Sequence, residues 1–174
     1  MRWYNHILIG AATTAVVAPH LVPLAVLGAT APDWLEWVLH ALRHPVKHRS
    51  STHWLSHWLA LLAGAALLWD FGGGWLAAFA WGGVSHVLAD ALTVSGVPFS
   101  PLSDRRFHLL GGQLRTGGIG EYVVAAGCAA ACWAVFGAFN PQAAYLPFFP
   151  DWADRYGRGV ATAKEWRENR FRFF

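Results

Sequence analysis

The sequence predicts an all-α integral membrane protein: about four membrane helices, the first broken by prolines, and then a C-terminal amphipathic helix. Three observations carry this expectation. Of 174 residues, 55 % are hydrophobic and 13 % charged, against about 25 % charged in an average soluble domain. The apolar residues gather into segments near 7–30, 54–69, 75–94 and 119–139, close to the ~20 residues that a membrane span requires. Trp54, Trp58, Trp69, Trp75 and Trp81 fall at or near segment ends, where interfacial tryptophans concentrate.

Each element follows in order. Pro19 and Pro23 interrupt the first segment, because each removes a backbone donor and disfavours helix before it. The segment is therefore one kinked span or two short helices folded back on each other. A straight span separates His6 from Asp33, whereas a broken one brings them together. The run is read as retained structure rather than a signal peptide, since no small-residue cleavage site follows it. Gly72-Gly73-Gly74 makes a tight turn, so the second and third segments form an antiparallel hairpin. Cys128 and Cys132 lie one turn apart in the fourth segment and read as packing residues. Residues 1–145 form the membrane-embedded helical domain, and 146–174 a basic, aromatic tail. There Trp166, Arg167, Arg170, Phe171, Arg172, Phe173 and Phe174 suit a helix lying on a membrane surface. Nucleic acid is not an expected partner, because the tail's basic residues are accompanied by four acids.

The chemistry lies in the polar residues stranded among apolar ones. His86 and Asp90 are four apart in the third segment, so on a helix they share a face. Ionisable groups in such surroundings are costly to desolvate and need a partner. The hairpin brings the start of the second segment, with His53 and His57, beside the end of the third, and Asp33 ends the first on that side. Imidazole and carboxylate without thiolate suit Zn or Mn. So many donors would serve two metals, about 3.5–4 Å apart as in many phosphoesterases. Each residue also has a plainer role: His57 caps a helix or packs under Trp54, and His40 and His44 belong to a polar loop over 34–48. Glu121 begins the fourth segment on the same side. Arg49, Arg105, Arg106 and Arg115 fall in loops there, suited to anionic lipid or to bidentate contact with phosphate. Four spans place both termini opposite this side.

The phrases Ala31-Pro32-Asp33, His48-Arg49-Ser50-Ser51-Thr52-His53 and Gly83-Val84-Ser85-His86 through Asp90 to Thr93 resemble the YdjM-like family of bacterial inner-membrane metal-dependent hydrolases. Asn5-His6-Ile7-Leu8, Gly96-Val97-Pro98 and Arg105-Arg106-Phe107 continue the likeness, which covers residues 4 to 120. The family is distantly similar to zinc-dependent phospholipase C. That similarity implies metal ligands at His6, Asp33, His53, His86 and Asp90, with His48 as a further candidate, and phosphoester hydrolysis by a metal-activated water. Where relatives read Pro-Asp-x-Asp, this chain has Leu35 and then Glu36. Either Glu36 substitutes from a shifted position or fewer metals are held.

The expected protein is thus a hydrolase of the bacterial inner membrane, using one or two divalent ions and acting on a phospholipid or other phosphoester. Asp33 or Glu36 serves as base, Arg49 offsets developing charge, and His48, His57, Arg105 and Arg106 contact substrate. The alternative is a metal-stabilised membrane scaffold without catalysis. Zinc proteolysis is excluded for want of an H-E-x-x-H helix.

Overall fold

In a computed structural model that describes residues 1–139 and 156–169, the chain is mostly helical. Helix α1 spans Trp3–Val17 and α2 Val22–Ala41. Helix α3 spans Leu55–Leu67 and α4 Gly73–Ala91. A two-stranded hairpin follows, β1 (Val97–Ser100) and β2 (Ser103–Phe107), then α5 (Ile119–Phe139) and α6 (Ala163–Asn169).

The first apolar segment is broken, not kinked. Helix α1 stops at Val17, and Ala18 leaves helical geometry at φ −144°. A 3-10 turn over Pro19–Leu21 reverses the chain. Pro23 then falls in the first turn of α2, where a missing N–H costs nothing. His6 and Asp33 consequently lie at the same end of the bundle. Between α3 and α4 the chain turns through Gly72, whose φ of +86° suits a residue without Cβ.

Helices α2 and α4 run parallel and in very close contact. A Cβ at Gly28 would lie 1.9 Å from the Phe79 carbonyl oxygen, and one at Gly82 2.1 Å from that of Ala25. The core lies between α2, α3, α4 and β1, where Ala31, Leu55, Trp58, Val84, Val87 and Val97 pack together. A smaller apolar cluster joins α1 to α5 through Ile9 and Ala125.

Four spans are not upheld. Among the described residues one helix, Ile119–Ala138, is long and apolar enough to cross a membrane. The reasons are local. Helices α1 and α3, at 15 and 13 residues, fall short of the ~20 required. Helix α4 spends one face on Ser85, His86 and Asp90, all buried. The stretch expected as a loop from residue 34 continues α2 to Ala41, so His40 is helical. The loop expected over 96–118 contains the hairpin, with Val97 opposite Phe107 and Pro98 opposite Arg106. Helix α1 begins at the His6 end, so the N-terminus is not opposite the polar cluster. In the tail, Thr162 and Glu165 cap α6 reciprocally. Residues 146–155 and 170–174 of the expected interfacial segment lie outside the described residues.

Gly82→Leu should therefore destabilise the protein by more than the roughly 1–3 kcal/mol of ordinary overpacking, because backbone rather than side chain must yield. Gly64→Ala in α3, which meets nothing within 4 Å, should raise stability by about 1 kcal/mol or less. Thermal denaturation in detergent reads both.

Candidate metal centre

Five residues from four pieces of chain meet at one end of the bundle. His6 comes from the first turns of α1, Asp33 from α2, His53 from a 3-10 turn over Ser51–His53, and His86 and Asp90 from successive turns of α4. His6, His53, His86 and Asp90 are at most 2 % exposed; Asp33 keeps one edge open, with 15 % of its side chain accessible.

The nitrogen and oxygen atoms face one another at distances suited to a shared ion. His53 Nε2 lies 3.4 Å from Asp33 Oδ1 and 3.9 Å from Asp90 Oδ2. His86 Nε2 lies 3.8 Å from Asp33 Oδ1 and 3.7 Å from Asp90 Oδ2. His6 Nε2 is 3.4 Å from Asp90 Oδ1. Donors about 2.1 Å from a tetrahedral ion are about 3.4 Å apart. Two overlapping sets, His6–His86–Asp90 and Asp33–His53–His86, bring their ligand atoms within 4.8 Å of one another. Among the described residues, the Nε2 atoms of His6, His53 and His86 are buried without a hydrogen-bond partner. Three orphaned imidazole nitrogens beside two carboxylates fit a divalent cation, since buried polar atoms otherwise find partners.

The surrounding groups fix which nitrogen points inward. A carbonyl can only accept, so the 2.7 Å contact to Ala29 O puts the proton of His86 on Nδ1 and leaves Nε2 as ligand. For His53, Nδ1 lies 3.0 Å from Thr52 Oγ1 and 3.2 Å from Glu36 Oε1, and Thr52 itself donates to Glu36 Oε1 at 3.1 Å. His48 is 66 % exposed and bonds Glu36 Oε2 at 2.8 Å. Burial alone would raise the pKa of Glu36, but the bonds from His53, His48 and the Arg49 N–H outweigh it and hold it at about 2. Burial likewise resists charge on His53, and Asp33 and Glu36 overcome it, raising its pKa above the ordinary imidazole value.

Arg49 closes the cluster. Its Nη2 donates to Asp90 Oδ1 at 2.8 Å and its Nη1 to Thr93 Oγ1 at 3.1 Å, while its Nε is buried and unpartnered. The Met1 amino group also meets Asp90 Oδ1. Arg49 sits at φ +55°, the left-handed region, which costs a non-glycine residue of order 1–3 kcal/mol and occurs where surroundings over-determine it. Here Glu36 Oε1 accepts its N–H at 3.0 Å, and Arg106 Nη1 donates to its carbonyl at 3.4 Å.

The five residues that the family resemblance implied as ligands are therefore brought together. His57 is not among them: it is exposed, its ring 4.9 Å from that of Trp54. Arg105 is exposed, with its backbone N–H on Ser103 Oγ, and takes no part in the cluster. Arg106 reaches it only through the Arg49 backbone. Glu121 is buried but accepts from Asn5 Nδ2 at 2.9 Å rather than joining the ligands. Thr52 and Thr93 had no assigned role, although both stand inside the quoted motifs; a polar residue of fixed spacing beside a candidate ligand was the signal.

Residues 1–149 match the family described as YdjM inner membrane protein. No curated protein and no solved structure matches the chain. The match takes in all five clustered residues and the apolar helix Ile119–Ala138. The chain belongs to the YdjM inner membrane protein family, and its place is the bacterial inner membrane.

Proposed function

We propose that this protein is a membrane-embedded, metal-dependent hydrolase of phosphoesters, with His6, Asp33, His53, His86 and Asp90 holding one or two Zn or Mn ions. The observation that carries the reading is the set of three buried Nε2 atoms facing two carboxylates, with no other partner among the described residues to satisfy them. A divalent cation there would lower the pKa of a water toward about 7 and polarise a phosphoryl oxygen. A phosphoester is the substrate we propose because the family distantly resembles zinc-dependent phospholipase C.

The chain's own groups divide the remaining work. Both oxygens of Glu36 are engaged by His53, Thr52, His48 and the Arg49 backbone, so Glu36 positions rather than reacts. Asp33, with its open edge, is the carboxylate able to take a proton from a water at the site. Arg49 presents a buried, unpartnered Nε–H that can stabilise charge growing on a phosphoryl oxygen. A metal-stabilised scaffold is the second reading, favoured by one fact: the cluster ties α1, α2, α4 and the 51–53 turn together.

Metal content separates protein with a site from protein without one. Detergent-purified wild type should carry at least one equivalent of Zn or Mn by elemental mass spectrometry, and His86→Ala should carry none; metal-free wild type after reconstitution with excess ion overturns both readings. Thr52→Val removes a hydroxyl that holds the His53–Glu36 pair, and metal affinity should fall about 10–100-fold, read by competition with a chelating dye. Arg49→Lys keeps the charge but loses the fork. It should retain metal while hydrolysis of a soluble phosphodiester drops at least about tenfold. Metal-loaded wild type without turnover on any phosphoester leaves the scaffold.

A further inference from the structure

Next to the cluster, the outer faces of α2 and α3 enclose an open cavity of about 370 Å³, within the roughly 300–1,000 Å³ range of small-ligand sites. Its walls are apolar, from Leu35 and Leu39 on one side to Trp58 and Leu61 on the other. One end is polar. Ser51 and Thr52 line it, and Ser51 Oγ is buried without a hydrogen-bond partner. Thr52 is also the residue that bonds Glu36 and stands beside His53. The cavity thus opens from a wall of the metal centre onto a hydrocarbon-like surface, where Trp37, Val38 and Leu59 are all more than 40 % exposed.

Exposed cations flank this polar end in the sequence: Arg43 and Lys47 stand on the connection from α2 to the 51–53 turn, with no Asp or Glu between Glu36 and Asp70, while the Arg49 side chain is turned inward to Asp90. We propose that this groove seats one acyl chain of an anionic membrane phospholipid, with its headgroup phosphate held at the basic mouth and turned toward the metal centre. Apolar walls exclude a free phosphate or a sugar phosphate as the ligand of the groove. The inner membrane supplies the lipid at high local concentration, and the flanking exposed residues let a chain slide in sideways without crossing water. That the lipid is also the substrate rests on the hydrolase reading; its seating in the groove does not.

The test uses the full chain in phosphatidylcholine vesicles containing phosphatidylglycerol that carries a photoactivatable diazirine midway along one acyl chain. Peptide mass spectrometry maps the labelled residues. Label concentrated on Leu35, Leu39 and Leu61, lost in Leu39→Trp and weaker with the phosphatidylcholine version of the probe, supports the proposal. The bound metal of Leu39→Trp reports that its fold is kept; where metal is lost, the wild-type map decides alone. Label spread equally over the exposed faces of the bundle and α5 overturns the proposal, as does a cross-linked second polypeptide occupying the groove. A soluble phosphodiester is assayed in parallel. Groove labelling without hydrolysis keeps the groove and removes the enzyme, and hydrolysis without groove labelling does the reverse.

Discussion

The fold depends on keeping Asp90 ionised at 2 % exposure inside an apolar bundle. A bare buried carboxylate would cost several kcal/mol even after relaxation. Compensation comes from the Arg49 guanidinium at 2.8 Å and from three imidazoles, those of His6 and His53 on two other pieces of chain and that of His86 on α4 itself. Each partner is delivered by a different constraint. Helix α1 carries His6 in its first turns, the 42–53 connection folds back to present Arg49 and His53, and α4 itself carries His86 one turn before Asp90. Removing any one of these leaves the others facing an uncompensated charge, which is why the cluster ties the tertiary structure together whatever chemistry it performs.

Close backbone packing is the second half of that arrangement. His86 can reach Ala29 O because Gly28 and Gly82 let α2 and α4 touch without side chains between them. Gly83 does the same for Trp58: a Cβ there would lie 2.0 Å from the indole ring. That indole donates to the Thr52 carbonyl at 2.8 Å, which pins the turn bearing His53. Gly28 of α2 and the Gly82-Gly83 pair of α4 thus set the orientation of two imidazoles.

The sequence made the clustered residues legible more readily than the membrane topology. His86 and Asp90 at i and i+4 were readable because helical spacing alone puts them on one face, and the Gly72–Gly74 turn brought His53 to them. His6 followed from the resemblance and from proline breaking the first segment. His57 misled, because four residues after His53 looks like the same face, whereas His53 stands in a 3-10 turn before α3 begins and the face changes. The four spans misled for a related reason. Apolar composition is shared by lipid-facing helices and by helices buried against one another, and α4, with Ala78, Ala80, Val84 and Val87 buried, is of the second kind. The hairpin over 97–107 was hidden by its shortness and by Pro98.

Helix α5, which qualifies as a span, is joined to the cluster rather than merely appended. Asn5, one residue before His6, donates to the buried Glu121 in the first turn of α5, and Tyr4 and Tyr122 bond alongside. Helix α5 therefore fixes the start of α1, and with it the position of His6. Since α5 begins at Ile119 and runs away from this end, the His/Asp cluster lies level with one end of a helix of about 30 Å. The link through Asn5 and Glu121 is what holds the cluster there.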